Sequence, residues 1–207
     1  MNASLKNLFA AVLLSGAGSA MAASSVDLTV TGLITPSSCE PSLSSGGVYD
    51  MGKISAKDLN VDMPTSFPVT TLQLTVTCDA ATLMALEAKD NREGSDFNND
   101  TMAFGLGLVN GNEKLGSVEL RLLSPIVDGA PARAIGSTDG GTVWERDTNF
   151  MRGNILSVAD NTTDAPIPVQ TLTSELALYP KIAPARTLTL TNEVAIDGSV
   201  TLTVKYL

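Results

Sequence analysis

Alternation of apolar and polar residues is the clearest regularity along this chain. Val26, Leu28, Val30, Gly32 and Ile34 are interleaved with Asp27, Thr29, Thr31 and Thr35. Such a period of two places one apolar face on a strand. A second run sets Leu72, Leu74 and Val76 against Thr71, Gln73, Thr75 and Thr77 and closes at Cys78, with Leu86 and Ala88 continuing in a neighbouring strand. The third and longest puts Val194, Ile196, Gly198, Val200, Leu202, Val204 and Tyr206 on one parity, and Thr201, Thr203 and Lys205 on the other. Shorter strands are predicted at 103–109, 118–123, 176–179 and 188–190. Turn signals separate them, among them Ser45-Gly46-Gly47, Asn110-Gly111-Asn112, Asp139-Gly140-Gly141 and Asp197-Gly198. No long window sustains a helical repeat of apolar positions, although residues 80–89 would also suit a short helix by composition. Two polar stretches, 90–101 and 134–168, are predicted to be long surface loops or insertions, the second with some helical turns. Many short strands punctuated by turns predict an all-β sandwich.

The N-terminus changes the picture, because it reads as an export leader. Lys6 supplies a positive start, an apolar stretch runs over residues 8–14, and Ala20-Met21-Ala22 supplies the small-residue end. Cleavage is expected before Ala23, leaving residues 23–207 as a single domain. No later segment approaches the roughly 20 continuous apolar residues that a transmembrane helix needs, so no membrane span is expected. The chain carries 13 basic and 22 acidic residues, net −9, and one of the basic ones, Lys6, belongs to the leader. That balance argues against nucleic acid or an anionic membrane as partner. Both cysteines, Cys39 and Cys78, lie in the exported part, where thiols are oxidised. Two cysteines permit one intramolecular bridge, with free thiols or an intermolecular bridge as the alternatives.

Catalytic chemistry finds little support. The chain has no histidine, which removes Ser-His-Asp and Cys-His arrangements and His-based zinc sites. No Cys-x-x-Cys spacing and no phosphate-binding glycine loop occurs. Asp90, Glu93, Asp96 and Asp100 crowd one stretch. They read foremost as a solvated loop; a calcium site lacks the residue order of a calcium-binding hand, and a carboxylate-based hydrolase would need two of them to converge in a cleft. Asn99-Asp100-Thr101 and Asn161-Thr162-Thr163 match the glycosylation sequon, a tripeptide common by chance. No enzyme activity, cofactor or metal is therefore expected. Trp144 is a candidate stacking residue for a glycan, though a single tryptophan is more often core.

The stretch Leu28-x-Val30-x-Gly32-x-Ile34 followed by Pro36 and Cys39 resembles the start of mature chaperone-usher fimbrial subunits, especially a somewhat longer branch of fimbrial-type proteins. Cys78 at the close of an alternating run, Leu176-Ala177-Leu178-Tyr179, and the alternating C-terminus with its penultimate Tyr206 are similar to that family too. The resemblance implies a pilin-like, immunoglobulin-like β-sandwich lacking its last strand, with Cys39 and Cys78 bridged. Residues 23–35 would be an N-terminal donor-strand extension, with Val26, Leu28 and Val30 as plugs, Gly32 at a close-packed position and Ile34 completing the face. Val200, Leu202, Val204 and Tyr206 would line the groove, and the carboxylate of Leu207 would meet a basic residue of a periplasmic chaperone. The implied partners are that chaperone, an outer-membrane usher and neighbouring fimbrial subunits, on a route through the periplasm to the cell surface. An alternative is a secreted or surface β-sandwich that binds a glycan or protein through its polar loops.

Overall fold

The computed structural model describes residues 38–207 together with Leu28, Thr29, Thr31 and Gly32. The predicted leader at 1–22 and Val26, Val30 and Ile34 lie outside the described residues. The chain divides into two units, 1–34 and 35–207, and every strand among the described residues belongs to the second. In chain order these are β1 (Cys39–Leu43), β2 (Thr65–Ser66), β3 (Thr70–Thr82), β4 (Met84–Asp90), β5 (Ala103–Gly105), β6 (Leu108–Val109), β7 (Glu113–Lys114), β8 (Gly116–Val127), β9 (Ala130–Pro131), β10 (Arg133–Ser137), β11 (Glu145–Arg146), β12 (Ile155–Ala159), β13 (Val169–Ile182) and β14 (Val200–Tyr206). Helical structure among the described residues is limited to 3-10 turns at Ser44–Gly47, Ala56–Asp58 and Ala185–Thr187.

The strands form an antiparallel sandwich. One sheet runs β1-β3-β13-β8-β5, with β2 beside β13 and β9 beside β8; the other runs β11-β10-β12-β4-β14, and β6 and β7 form a small hairpin of their own. Leu72, Leu74 and Val76 of β3, Leu120 and Leu122 of β8 and Leu172 and Leu176 of β13 project from the first sheet into a core shared with Leu86, Leu156 and Val158 of the second. On β3 the predicted alternation is realised residue by residue, since the intervening Thr71, Gln73, Thr75 and Thr77 are exposed or half-buried. On β8 it changes phase. Ser124 takes a left-handed φ of 49°, the pairing with β13 shifts register there, and burial passes from Leu120 and Leu122 to Val127. That is the signature of a bulge, one extra residue that re-aims all those after it.

Of the two readings of residues 80–89, strand holds and helix does not: all but Leu83 belong to β3 and β4, and β4 lies inside its sheet with Met84, Ala85, Leu86 and Ala88 all buried. Other expectations need correction. The stretch 134–168 is no insertion: β10, β11 and β12 are three of the five strands of the second sheet. All five residues of β12 are buried, so it lacks the polar alternation by which a half-exposed strand is recognised. Part of its outer face is covered by the turn after β10, where a side chain at Gly141 would touch Trp144, Ile155 and Leu207.

The long C-terminal alternation is strand only from Val200 onward, and 188–190 is not a strand. Residues 188–199 are held as coil by other bonds. Glu113 accepts from the backbone N–H (2.6 Å) and hydroxyl (2.8 Å) of Thr189, and Arg92 forms a two-pronged pair with Asp197. Gly198 lies so close to Leu106 that a Cβ there would come within 2.6 Å of Leu106 Cδ2.

Candidate functional site

Cys39 and Cys78 are bridged. They stand directly opposite one another where β1 pairs with β3, so the disulfide ties an edge strand to the interior of its sheet. At the corresponding edge of the other sheet lies β14, whose partner among the described residues is β4.

In an antiparallel ladder, alternate residues turn both backbone groups toward the same partner. The Asn91 N–H bonds to the Ser199 carbonyl at 2.9 Å and the Leu207 N–H to that of Leu83 at 3.1 Å. Ser199, Thr201, Thr203, Lys205 and Leu207 therefore face β4. Val200, Leu202, Val204 and Tyr206 turn their N–H and C=O outward, where no described strand lies. The same reasoning applies to β1: the Asp79 N–H bonds to the Ser38 carbonyl at 2.9 Å, so Cys39, Pro41 and Leu43 face away from β3. Pro41 has no N–H to offer, as befits an edge strand. The Cys39 N–H donates to the Tyr206 hydroxyl at 2.9 Å. Of these two edges, β14 is thus the better template for a further strand.

Between the edges a cavity of about 700 Å³ opens into the sandwich. Its floor is made by Leu72 of β3, Leu120 of β8 and Leu176 of β13, and its rims include Leu43 on one side and Val200 and Leu202 on the other. Tyr49, Ile54 and Ile196 extend the lining. Val200, Leu202 and Val204 remain half-buried although their side chains point toward the core, while Tyr206 is 41% and Leu207 46% exposed. Apolar surface of this kind, beside an edge with no outer partner among the described residues, is what a sandwich shows where a strand could still be added.

Of the predicted site residues, Val200 and Leu202 reach the cavity, Val204 packs against the core, and Tyr206 and Leu207 lie past its end. Leu28 is 88% exposed, and a Cβ at Gly32 would meet no neighbour within 4 Å. Sequence reasoning missed Leu43, Leu72, Leu120 and Leu176 as lining residues. Each sits in an ordinary strand pattern, and nothing local distinguishes a core leucine from one that faces a gap.

The acidic stretch is not a solvated loop at its two decisive positions. The carboxylates of Asp90 and Asp96 have no exposed side-chain surface. Asp90 accepts from the N–H of Arg92 (2.7 Å) and of Gly105 (2.9 Å), and Asp96 from the N–H of Asp100 (3.1 Å). Arg152 reaches both, at 3.2 Å from Asp96 and 3.8 Å from Asp90, and donates to the Ala103 carbonyl at 2.7 Å. This network fastens 90–105 to the turn before β12, and no group of metal-ligating side chains occurs among the described residues. Nearer the cavity, the Arg92 hydrogen bond and charge hold the Asp197 carboxyl below its ordinary range, and bonds from Thr189 do the same for Glu113. Both carboxylates pin the coil that leads into β14. Trp144 is half-buried, its indole N–H donating to the Gly141 carbonyl at 2.9 Å.

Residues 28–103 match a family model described as "Protein of unknown function (DUF1120)". That span takes in Leu28, both cysteines and strands β1 to β4 and ends at the first residue of β5, so it contains the disulfide and the β1 rim of the cavity. The chain is 26% identical to Protein GltF of Escherichia coli (strain K12), in an alignment covering 95% of each. It is 29% identical to Uncharacterized protein YhcF of the same organism over 48% of this chain and 50% of that one. No helix among the described residues is long and apolar enough to cross a membrane.

Proposed function

We propose that this chain is a structural subunit of a bacterial surface fimbria, assembled by donor-strand exchange and contributing to adhesion. The observation that carries the reading is the apolar cavity beside the outward-facing backbone of Val200, Leu202 and Val204. Its occupant in the fibre is the segment 24–34 of a second copy. Val26, Leu28 and Val30 alternate at the spacing that fills successive gaps along such an edge, and the segment belongs to a unit separate from the sandwich. Before assembly, a periplasmic chaperone lends its own strand to the same edge, and an outer-membrane usher exchanges one for the other as the protein passes to the cell surface.

Attaching a copy of residues 24–35 after Leu207 through a flexible linker should complete the sandwich within one molecule. Burying three aliphatic side chains is worth about 5–9 kcal/mol before the cost of ordering the strand. Even a third of that raises the melting temperature by several degrees in a domain of this size. Thermal unfolding of the mature chain with and without the added strand measures it. Coincident midpoints, with the plain chain already a stable monomer, would sink the proposal.

A further inference from the structure

The apolar alternation of the segment 24–34 does not by itself choose where that segment stops. Sliding a strand by two residues returns every apolar side chain to the same face, so Val26, Leu28 and Val30 could occupy the positions meant for Leu28, Val30 and Gly32. Something on the acceptor must break this degeneracy. The two rims of the cavity differ from one end to the other. At the Leu43 and Val200 end both edge strands border open space. At the other end the Tyr206 side chain crosses from β14 to β1, and its hydroxyl takes the Cys39 N–H. This is the outward donor on β1 that the carbonyl of an added strand would otherwise use. The cavity lining accordingly includes Leu43, Val200 and Leu202 but not Cys39, Val204 or Tyr206. Neither end of the bridge is free to swing away, because Cys39 is fixed by the disulfide to Cys78 and the residue after Tyr206 is bonded through its N–H to the Leu83 carbonyl at 3.1 Å.

We propose that Tyr206 is the positioning residue that sets the register of the added strand, by standing in the strand's path and occupying its hydrogen-bond donor at the Cys39 end. This rests on the reading of the cavity given above. A strand laid along β14 pairs with Val200 and Leu202 and halts where the tyrosine begins. Tyr206 thereby removes the registers that would run past Leu202 toward Cys39, on an edge that otherwise tolerates slippage.

The test uses the mature chain and an excess of a synthetic peptide copying residues 24–35, with a photo-crosslinking benzophenone residue in place of Thr29, on the polar face. In the unaltered chain the peptide should crosslink at one position. In Tyr206→Ala a second position, displaced by two residues along the groove, should appear. Tyr206→Phe keeps the ring and loses only the acceptor; it should speed amide exchange at Cys39 and yield the second position more weakly, which keeps the test valid if the alanine variant fails to fold. A second position in either folded variant supports the proposal. A single unchanged position in every folded variant overturns it while leaving the strand-addition reading intact. Absence of any crosslink to the unaltered chain overturns that reading, and the register proposal with it.

Discussion

Arg152 stands between two carboxylates that have no exposed side-chain surface, Asp90 and Asp96, while its own side chain is 20% exposed. One guanidinium serving two acids leaves the cluster dependent on backbone donors, here the N–H groups of Arg92, Gly105 and Asp100. Removing the cation leaves buried charge without compensation, which typically costs about 3–5 kcal/mol. Arg152→Ala should therefore lower the urea midpoint sharply. Asp96→Asn in the same background should recover part of the loss, since it removes one of the stranded charges. An Arg152→Ala midpoint within error of the parent would show that the network is incidental to stability. At the same scale Asp197 illustrates a residue with two readings. In sequence it is half of an Asp-Gly turn signal; in the fold it is the anchor that Arg92 grips, and the glycine beside it permits the close approach to Leu106.

The elements that matter most are the two edge strands, which are secured differently. On one side β14 is held along its whole length by β4. The five-residue β1 is held by β3 and by the Cys39–Cys78 bridge, and its Pro41 and its tyrosine-bonded Cys39 make it a poor template on the outward side. A bridge closing a separation of 39 residues stabilises by about 3–4 kcal/mol in the chain-entropy account. Cys78→Ser should accordingly lower the thermal midpoint and the yield of folded protein from the periplasm. It should also free β1 to leave the sheet, seen as faster amide exchange over Glu40 to Leu43. Unchanged yield and midpoint would remove the staple from the account of stability.

For the molecule as a whole, β14 lies in the sandwich and the alternating segment 24–34 in the other unit of the chain. If the assembly proposed above holds, deleting residues 23–31 should give a subunit that accepts a strand but donates none. Mixed with intact subunits, it should cap growing assemblies, read as a shift toward short species by size-exclusion chromatography. Undiminished assembly length would show that the segment is not the connector.

Much of this organisation was legible in the residues. The strands with one wet face, β3, β8, β13 and the C-terminal half of the last run, announce themselves by alternation, because each contacts core on one side and water on the other. The elements that went unread are those for which that contrast fails. Ile155–Ala159 is covered on both faces, and Leu188 and Val194 to Gly198 alternate or cluster like strand while Glu113, Arg92 and Leu106 hold them as coil. By itself, then, the sequence determined the all-β class, the pair of cysteines and the two alternating termini, since these depend on local period and on chemistry carried by single residues. Which leucines face a gap, which strand edges stay open, and that Tyr206 meets Cys39 across them were decided only in the tertiary structure, because an unfilled position is a relation between strands far apart in the chain and leaves no mark on the residues that surround it.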